Sequence, residues 1–190
     1  KRFLDIIGHF AKVRLALSID GTGNIQEYIR YPSKWKAIQN NVDRLLNHVK
    51  NADNKFEISF SPAISILNIA NFSEYINWSY NIASKHQYDN LHWDMDPSRV
   101  HGPEFQDIWH STKEYRKFCL KHLRFVQYKR LQFFPSLESF YNEIVACLES
   151  NYHEQSESNR TSLKIWNDSI DKKRGIDIKD YIPYSEAIYG

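Results

Sequence analysis

The sequence predicts an α/β fold. Strand–loop–helix units with parallel strands come first, and a helical C-terminal extension follows. Three observations predict it. Residues 13–18 and 56–61 each alternate apolar and hydrophilic side chains with a period of two, the mark of a strand covered on one face. Each run ends in turn chemistry and precedes a stretch whose apolar residues recur at helical spacing. From Glu104 onward helical spacing dominates.

Composition bounds the answer. A chain of 190 residues admits one domain, or half a barrel with an appendage. A hydrophobic fraction of 42% and an aromatic fraction of 15% are ample for a core. The net charge is only +2, which gives no bulk attraction to nucleic acid or to a membrane surface. No apolar run approaches the roughly 18 residues that a membrane helix needs. Two cysteines, Cys119 and Cys147, make no disulfide framework, so a reducing cytoplasm is the expected compartment.

Arg2 to Phe10 reads as the end of a helix, with Phe3, Ile6, Ile7 and Phe10 on one face. The first strand follows. Val13, Leu15 and Leu17 form its apolar face, and Arg14, Ala16 and Ser18 its small or polar face. Asp20-Gly21 and Gly23-Asn24 then break the strand, since Gly and Asn tolerate positive φ. The loop delivers Glu27, Tyr28 and Arg30. Asp20 either accepts a hydrogen bond from a ligand or braces the turn. After Pro32, Ser33 is the expected N-cap of a helix reaching Ala52. Its buried stripe is Trp35, Ile38, Val42, Leu45, Leu46 and Val49.

The second strand reads FEISFS. Phe56, Ile58 and Phe60 take one face, and Glu57, Ser59 and Ser61 the other. Pro62 fits a strand end, and residues 63–67 continue as an extended segment. Asn68 lies where that segment meets the next helix. Its amide can donate and accept at once, so it is a ligand contact or a turn cap. A helix over 72–84 and a short strand over 91–93 follow.

A β/α unit keeps its chemistry at the carboxyl end of its strand. Both strands offer hydrophilic side chains on the face opposite their apolar one. Burying such groups unpaired costs roughly 1–3 kcal/mol each. A fold keeps that arrangement most readily when the enclosed space holds a polar ligand.

These residues resemble a family. SIDG at 18–21, EYIR at 27–30, the WxxxxxNxxxL pattern from Trp35 to Leu45, and SILN at 65–68 are similar to the later half of a radical S-adenosylmethionine (radical SAM) domain. The likeness is to the type that carries a short C-terminal twitch domain, and IDKKRGIDIKDYIP at 170–183 resembles the closing helix and Arg-Gly turn of those proteins. The resemblance covers the chain up to Asn77 and the stretch from Ile170, and little of the middle.

The resemblance implies a partial β/α (TIM-like) barrel half over residues 1–100 and a helical extension over 101–190. It implies S-adenosylmethionine and a 4Fe-4S cluster as cofactors, an electron donor, and a peptide or small-molecule substrate. The family's CxxxCxxC cluster loop has no counterpart here. Its ligands are therefore expected outside this chain, in residues upstream, unless the chain is a cluster-free relative. By itself the fragment is expected to be inactive. The expected cofactor contacts are Ser18 and Arg30 for the S-adenosylmethionine carboxylate, Ser18 also for the ribose hydroxyls, with Asp20, Glu57, Ser59, Ser61 and Asn68 around them. An Arg suits a carboxylate because its guanidinium pairs bidentately and stays charged.

Weaker patterns stand beside these. His92, Asp94, Asp96, His101 and His110 gather metal-binding types, but their spacing fits no metal template. Asp20-Gly21-Thr22-Gly23 lacks the GK[ST] of a phosphate loop. Lys113, Arg116, Lys117, Lys121, Arg124, Lys129 and Arg130, interleaved with aromatics, read as a solvated helix face. The rival reading is a non-catalytic β/α module recruiting a protein or RNA partner through that basic tail.

Overall fold

Alternating sequence becomes alternating burial. In the computed structural model, which describes residues 2–150 and 157–189, strands β1 (Lys12–Leu17), β2 (Lys55–Phe60) and β4 (Leu91–Met95) form a parallel three-stranded sheet in the order β1-β2-β4. Arg14 lies opposite Glu57 and Glu57 opposite His92; Ala16, Ser59 and Asp94 form the next row. A second pair, β3 (Ala63–Ile64) with β5 (Ser98–Arg99), continues beyond the carboxyl ends of β2 and β4 and is also parallel.

Helices α2 (Gly23–Ile29) and α3 (Trp35–Lys50) connect β1 to β2, and α4 (Phe72–Lys85), after a 3₁₀ turn at Ile69–Asn71, connects β2 to β4. A short helix, α1 (Arg2–Ile7), precedes β1. The apolar sheet face packs on these helices. Phe56, Ile58 and Phe60 are each at most 2% exposed. Phe60 sits among the rings of Tyr75, Trp78, Trp93 and Phe134.

Two 3₁₀ turns, at Glu104–Gln106 and Ile108–His110, lead into α5 (Lys113–Leu123), α6 (Tyr128–Phe133) and α7 (Leu137–Glu149). Then come α8 (Glu157–Arg174), α9 (Ile178–Tyr181) and α10 (Ser185–Tyr189). Helices and sheet share one apolar core. Tyr115 Oη donates to the Ile66 carbonyl at 2.7 Å and Tyr184 Oη to the Leu67 carbonyl at 3.1 Å, tying the helical part to the end of the strands. No helix among the described residues is long and apolar enough to cross a membrane.

Three local expectations change. Gly23-Asn24 does not simply turn: Gly23, at φ +56°, opens α2. Ser33 does not cap α3. The helix begins at Trp35, and the Trp35 N–H donates to Glu27 Oε1 at 2.8 Å, so a carboxylate from α2 does the capping. The first helix, read as reaching Phe10, ends at Ile7. Ile7 is buried, whereas Phe3, Ile6 and Phe10 are 59%, 51% and 58% exposed. Gly175, at φ +68°, stops α8 as its sequence suggests. The polar stretch 149–161 reads as a loop or a frayed turn; α8 starts inside it at Glu157, and residues 151–156 lie outside the described ones.

Candidate functional site at the carboxyl ends of the strands

Two motifs meet where β1 and β2 end. The Asp20 N–H and Gly21 N–H both donate to Gln26 Oε1, at 2.7 and 3.1 Å, so a buried amide one turn into α2 closes the loop. Thr22 N donates to Asn71 Oδ1 at 2.9 Å, and Asn71 Nδ2 returns a bond to Thr22 Oγ1 at 3.0 Å. Gly21 suits this closeness: a Cβ there would stand 3.0 Å from Asn71 Oδ1 and 3.2 Å from Ile25 Cγ2, and those side chains would have to give way slightly. Asn68 Nδ2 donates to the carbonyls of Asp20 and Ala63 at 2.7 and 2.8 Å, and Asn68 Oδ1 accepts from Ser65 N at 2.7 Å.

Asp20 is the centre of this latch and is 4% exposed. Its Oδ1 accepts from the Ala63 N–H at 2.9 Å and from Arg30 Nη2 at 3.2 Å, while Oδ2 accepts from Arg30 Nε. The pair is bidentate, the geometry that planar guanidinium and carboxylate groups favour. Its hydrogen bonds to Asp20 raise the Arg30 pKa above its already high ordinary value, so this side chain keeps its charge. The Arg30 side chain nevertheless remains 45% exposed.

Arg30 borders a cavity of about 280 Å³ lined also by Asp20, Tyr28, Ser65, Trp166 and Arg174 among others. Arg174 reaches it from the end of α8. Its Nη1 donates to the Tyr28 carbonyl at 2.8 Å, and its guanidinium lies 4.8 Å from the Tyr31 ring centroid. Tyr28 Oη donates to Asp171 Oδ1 at 2.9 Å, and Asp171 Oδ2 accepts from Ile178 N at 2.7 Å. Burial, then the Asp171 carboxylate, push the Tyr28 phenol far above its ordinary range, so it stays a neutral donor. The end of the chain is thereby fastened over the first β/α loop.

The other expected contacts lie on the sheet itself. Glu57 is held by Lys12 Nζ at 3.0 Å and Arg14 Nε at 2.9 Å. The hydrogen bond from Lys12, then Arg14, keep its carboxyl below the ordinary value. Ser59 Oγ is buried with no hydrogen-bond partner, and Ser61 is half-buried. Ser18 is exposed and borders a separate cavity along β1.

The structure thus brings Asp20, Arg30 and Asn68 together, sets Glu57, Ser59 and Ser61 along the hydrophilic face, and leaves Ser18 at its rim. Of the two roles open to Asp20 and Asn68, both perform the bracing one here. Gln26, Asn71 and Asp171 escaped sequence reasoning, because a lone amide or carboxylate on a helix carries no periodic signal. Arg174 was visible only as the arginine of the Arg-Gly turn that closes the last long helix.

The remaining patterns resolve as follows. Cys119 and Cys147 are buried in α5 and α7, and burial pushes their thiols up to about 12 and about 11. No group of three or more metal-binding side chains gathers among the described residues. Asp94 accepts from Ser136 Oγ at 3.1 Å, and His101 lies 3.6 Å from Asp107. In the basic tail, Arg116 is buried and donates to the carbonyls of Ser111, Trp109 and Ser150, and Arg130 donates to Asn77. Comparison with family models, curated proteins and solved structures finds no match.

Proposed function

We propose that this chain is the S-adenosylmethionine-binding part of a radical SAM enzyme, built as half of a β/α barrel. One observation carries the reading. Parallel sheets are normally covered on both faces. Here Arg14, Ala16 and Ser18, with His92 and Asp96, are exposed on the face opposite the helices, and Glu57, Ser59 and Asp94 are half-buried there. Such a face is the wall of an interior, and its hydrophilic side chains suit a polar guest.

The residues present fit S-adenosylmethionine in part. Arg30 offers a permanently charged guanidinium to the methionine carboxylate. Ser18 and Ser61 offer hydroxyls that can donate to or accept from ribose hydroxyls. Asp20 and Asn68 act through Arg30 and the loop: they hold the guanidinium and the two strand ends in place. Their own polar atoms are committed within the chain, so we leave them out of the ligand contacts. Arg174 and Tyr28 line the same cavity.

The residues present do not fit a 4Fe-4S cluster. Two buried thiols with raised pKa values cannot supply three thiolate ligands. Such a cluster would supply the electron that cleaves S-adenosylmethionine, and its ligands would come from residues outside this chain.

Calorimetric titration of the full-length polypeptide with S-adenosylmethionine tests the proposal. Arg30→Ala is expected to weaken binding tenfold or more, since a charge-assisted hydrogen bond contributes roughly 1.5–3 kcal/mol. Arg30→Lys, which keeps the charge but not the fork, is expected to lose less. Unchanged affinity in Arg30→Ala, with circular dichroism like that of the parent, overturns the assignment.

A further inference from the structure

The free edge of β1 differs from the rest of the sheet. β1 pairs with β2 alone. Lys55 N donates to the Ala11 carbonyl at 3.0 Å and Ser61 N to the Leu17 carbonyl at 3.0 Å. Peptide groups in a strand point alternately to either side, so the odd-numbered residues of β1 face β2. Those of Arg14, Ala16 and Ser18 face away, presenting unpaired N–H and C=O groups. All three residues are exposed.

Beside that edge runs a cavity of about 440 Å³. The consecutive residues Ala16, Leu17, Ser18 and Ile19 all border it, so it follows the strand's backbone edge and not one face. Its other walls are largely apolar, formed by Phe3 and Leu4 of α1 and Ile38, Val42 and Leu45 of α3, with Asn41 and Arg44 of α3 among them. Phe3 is itself exposed. An open hydrogen-bonding edge and an apolar groove together fit one kind of occupant, an extended strand with alternating side chains.

The direction and source of that strand follow from a repeated device. Helix α3 enters β2 through the link 51–54, and α1 enters β1 through the link 8–11, each of four residues. At the end of α3, Asn90 Nδ2 donates to the Val49 and Ala52 carbonyls at 3.0 and 2.9 Å. At the end of α1, Asn54 Nδ2 donates to the Ile7 carbonyl at 3.2 Å. So α1 stands to β1 and β2 as α3 stands to β2 and β4. Helix α3 is the crossover between two adjacent parallel strands. By the same geometry α1 is the end of a crossover whose first strand lies at the free edge of β1.

We infer that the edge of β1 is the docking site for a parallel β-strand of the same polypeptide, N-terminal to α1. Its apolar side chains fill the groove between α1 and α3, and its backbone pairs with Arg14, Ala16 and Ser18. This inference deepens the half-barrel reading by naming the join between the halves. It does not depend on the ligand.

Amide hydrogen exchange on the full-length polypeptide, without S-adenosylmethionine, tests it separately from ligand binding. The outward amides of Arg14, Ala16 and Ser18 are expected to exchange within about tenfold of the inward amides of Val13, Leu15 and Leu17. Ala16→Pro, which removes only an outward N–H, is expected to speed exchange at Arg14 and Ser18 and to lower the melting temperature. Three results overturn the inference. One is outward amides exchanging about a hundredfold faster than inward ones in the full-length polypeptide. Another is a reading frame with no strand-forming segment before α1. The third is protection that tracks dimer formation in sedimentation, which makes a second copy the occupant.

Discussion

Along β2, one face is sealed and the other is half open, although both are written into six consecutive residues. Phe56, Ile58 and Phe60 are closed off by helices, whereas Glu57 and Ser59 look onto a surface shared with Arg14, Ala16, His92 and Asp94. The sealed face uses its side chains fully: each ring and methyl group has neighbours. The open face leaves capacity unspent, most plainly the buried Ser59 hydroxyl with no partner. Idle hydroxyls occur on the sealed side too, at Tyr75 and Ser79 of α4, so the contrast between the faces rests on burial and on the charged groups of the open one.

The largest effect expected from breaking this contrast lies on the sealed side. Phe60→Ala removes a ring that is 0% exposed and touches four other aromatic rings. It is expected to destabilise the fold by about 3–5 kcal/mol in urea unfolding, from lost burial and an unfilled cavity. A loss below about 1 kcal/mol would mean that the helices collapse onto the gap, and the sealed face would then be no tighter than the open one.

This contrast was legible in sequence, and the reason is periodicity. A period of two in FEISFS can be satisfied by one pairing register only, because a one-residue slip exposes Phe56, Ile58 and Phe60 together. The helix read over 72–84 and the short strand read over 91–93 are both present, as Phe72–Lys85 and Leu91–Met95. The site was read less fully. Asp20 and Arg30 were singled out as candidate contacts for a guest, yet in the fold they pair with each other. Nothing in their spacing distinguishes an arginine awaiting a ligand from one already held. The cap on α3 was misplaced because Ser33 has the right local chemistry, while the better acceptor, Glu27, reaches Trp35 from another helix. The Tyr28–Asp171 bond joins residues 143 positions apart, a separation over which sequence patterns carry no signal.

A smaller effect belongs to Glu57, on the open face. Its folded pKa lies below the ordinary value of 4.5, chiefly through Lys12 and then Arg14. The carboxylate's contribution is therefore fully present above pH 4.5 and is lost as pH falls through the folded value. Glu57→Gln is expected to lower the melting temperature slightly at neutral pH and low salt. The difference should vanish at high salt, because partly exposed ion pairs are screened. Equal differences at both ionic strengths would show that the face is less open than its exposure implies. Thermal melts at neutral pH and below 4, in low and high salt, read all of this.

The smallest effect is at Ser59, and it discriminates best. Its hydroxyl is desolvated without a hydrogen bond in return, so Ser59→Ala deletes a penalty together with a small side chain. Unfolding free energy is expected to change by less than about 0.5 kcal/mol, in either direction. If the open face is the wall of a binding space, the same substitution should weaken the guest, with S-adenosylmethionine as the probe on the full-length polypeptide. A residue that matters to binding and not to stability belongs to function; one that matters to neither leaves the hydrophilic side of β2 without a purpose. Of the three substitutions on this strand, only Ser59→Ala can return that second answer without disturbing the fold that carries the question.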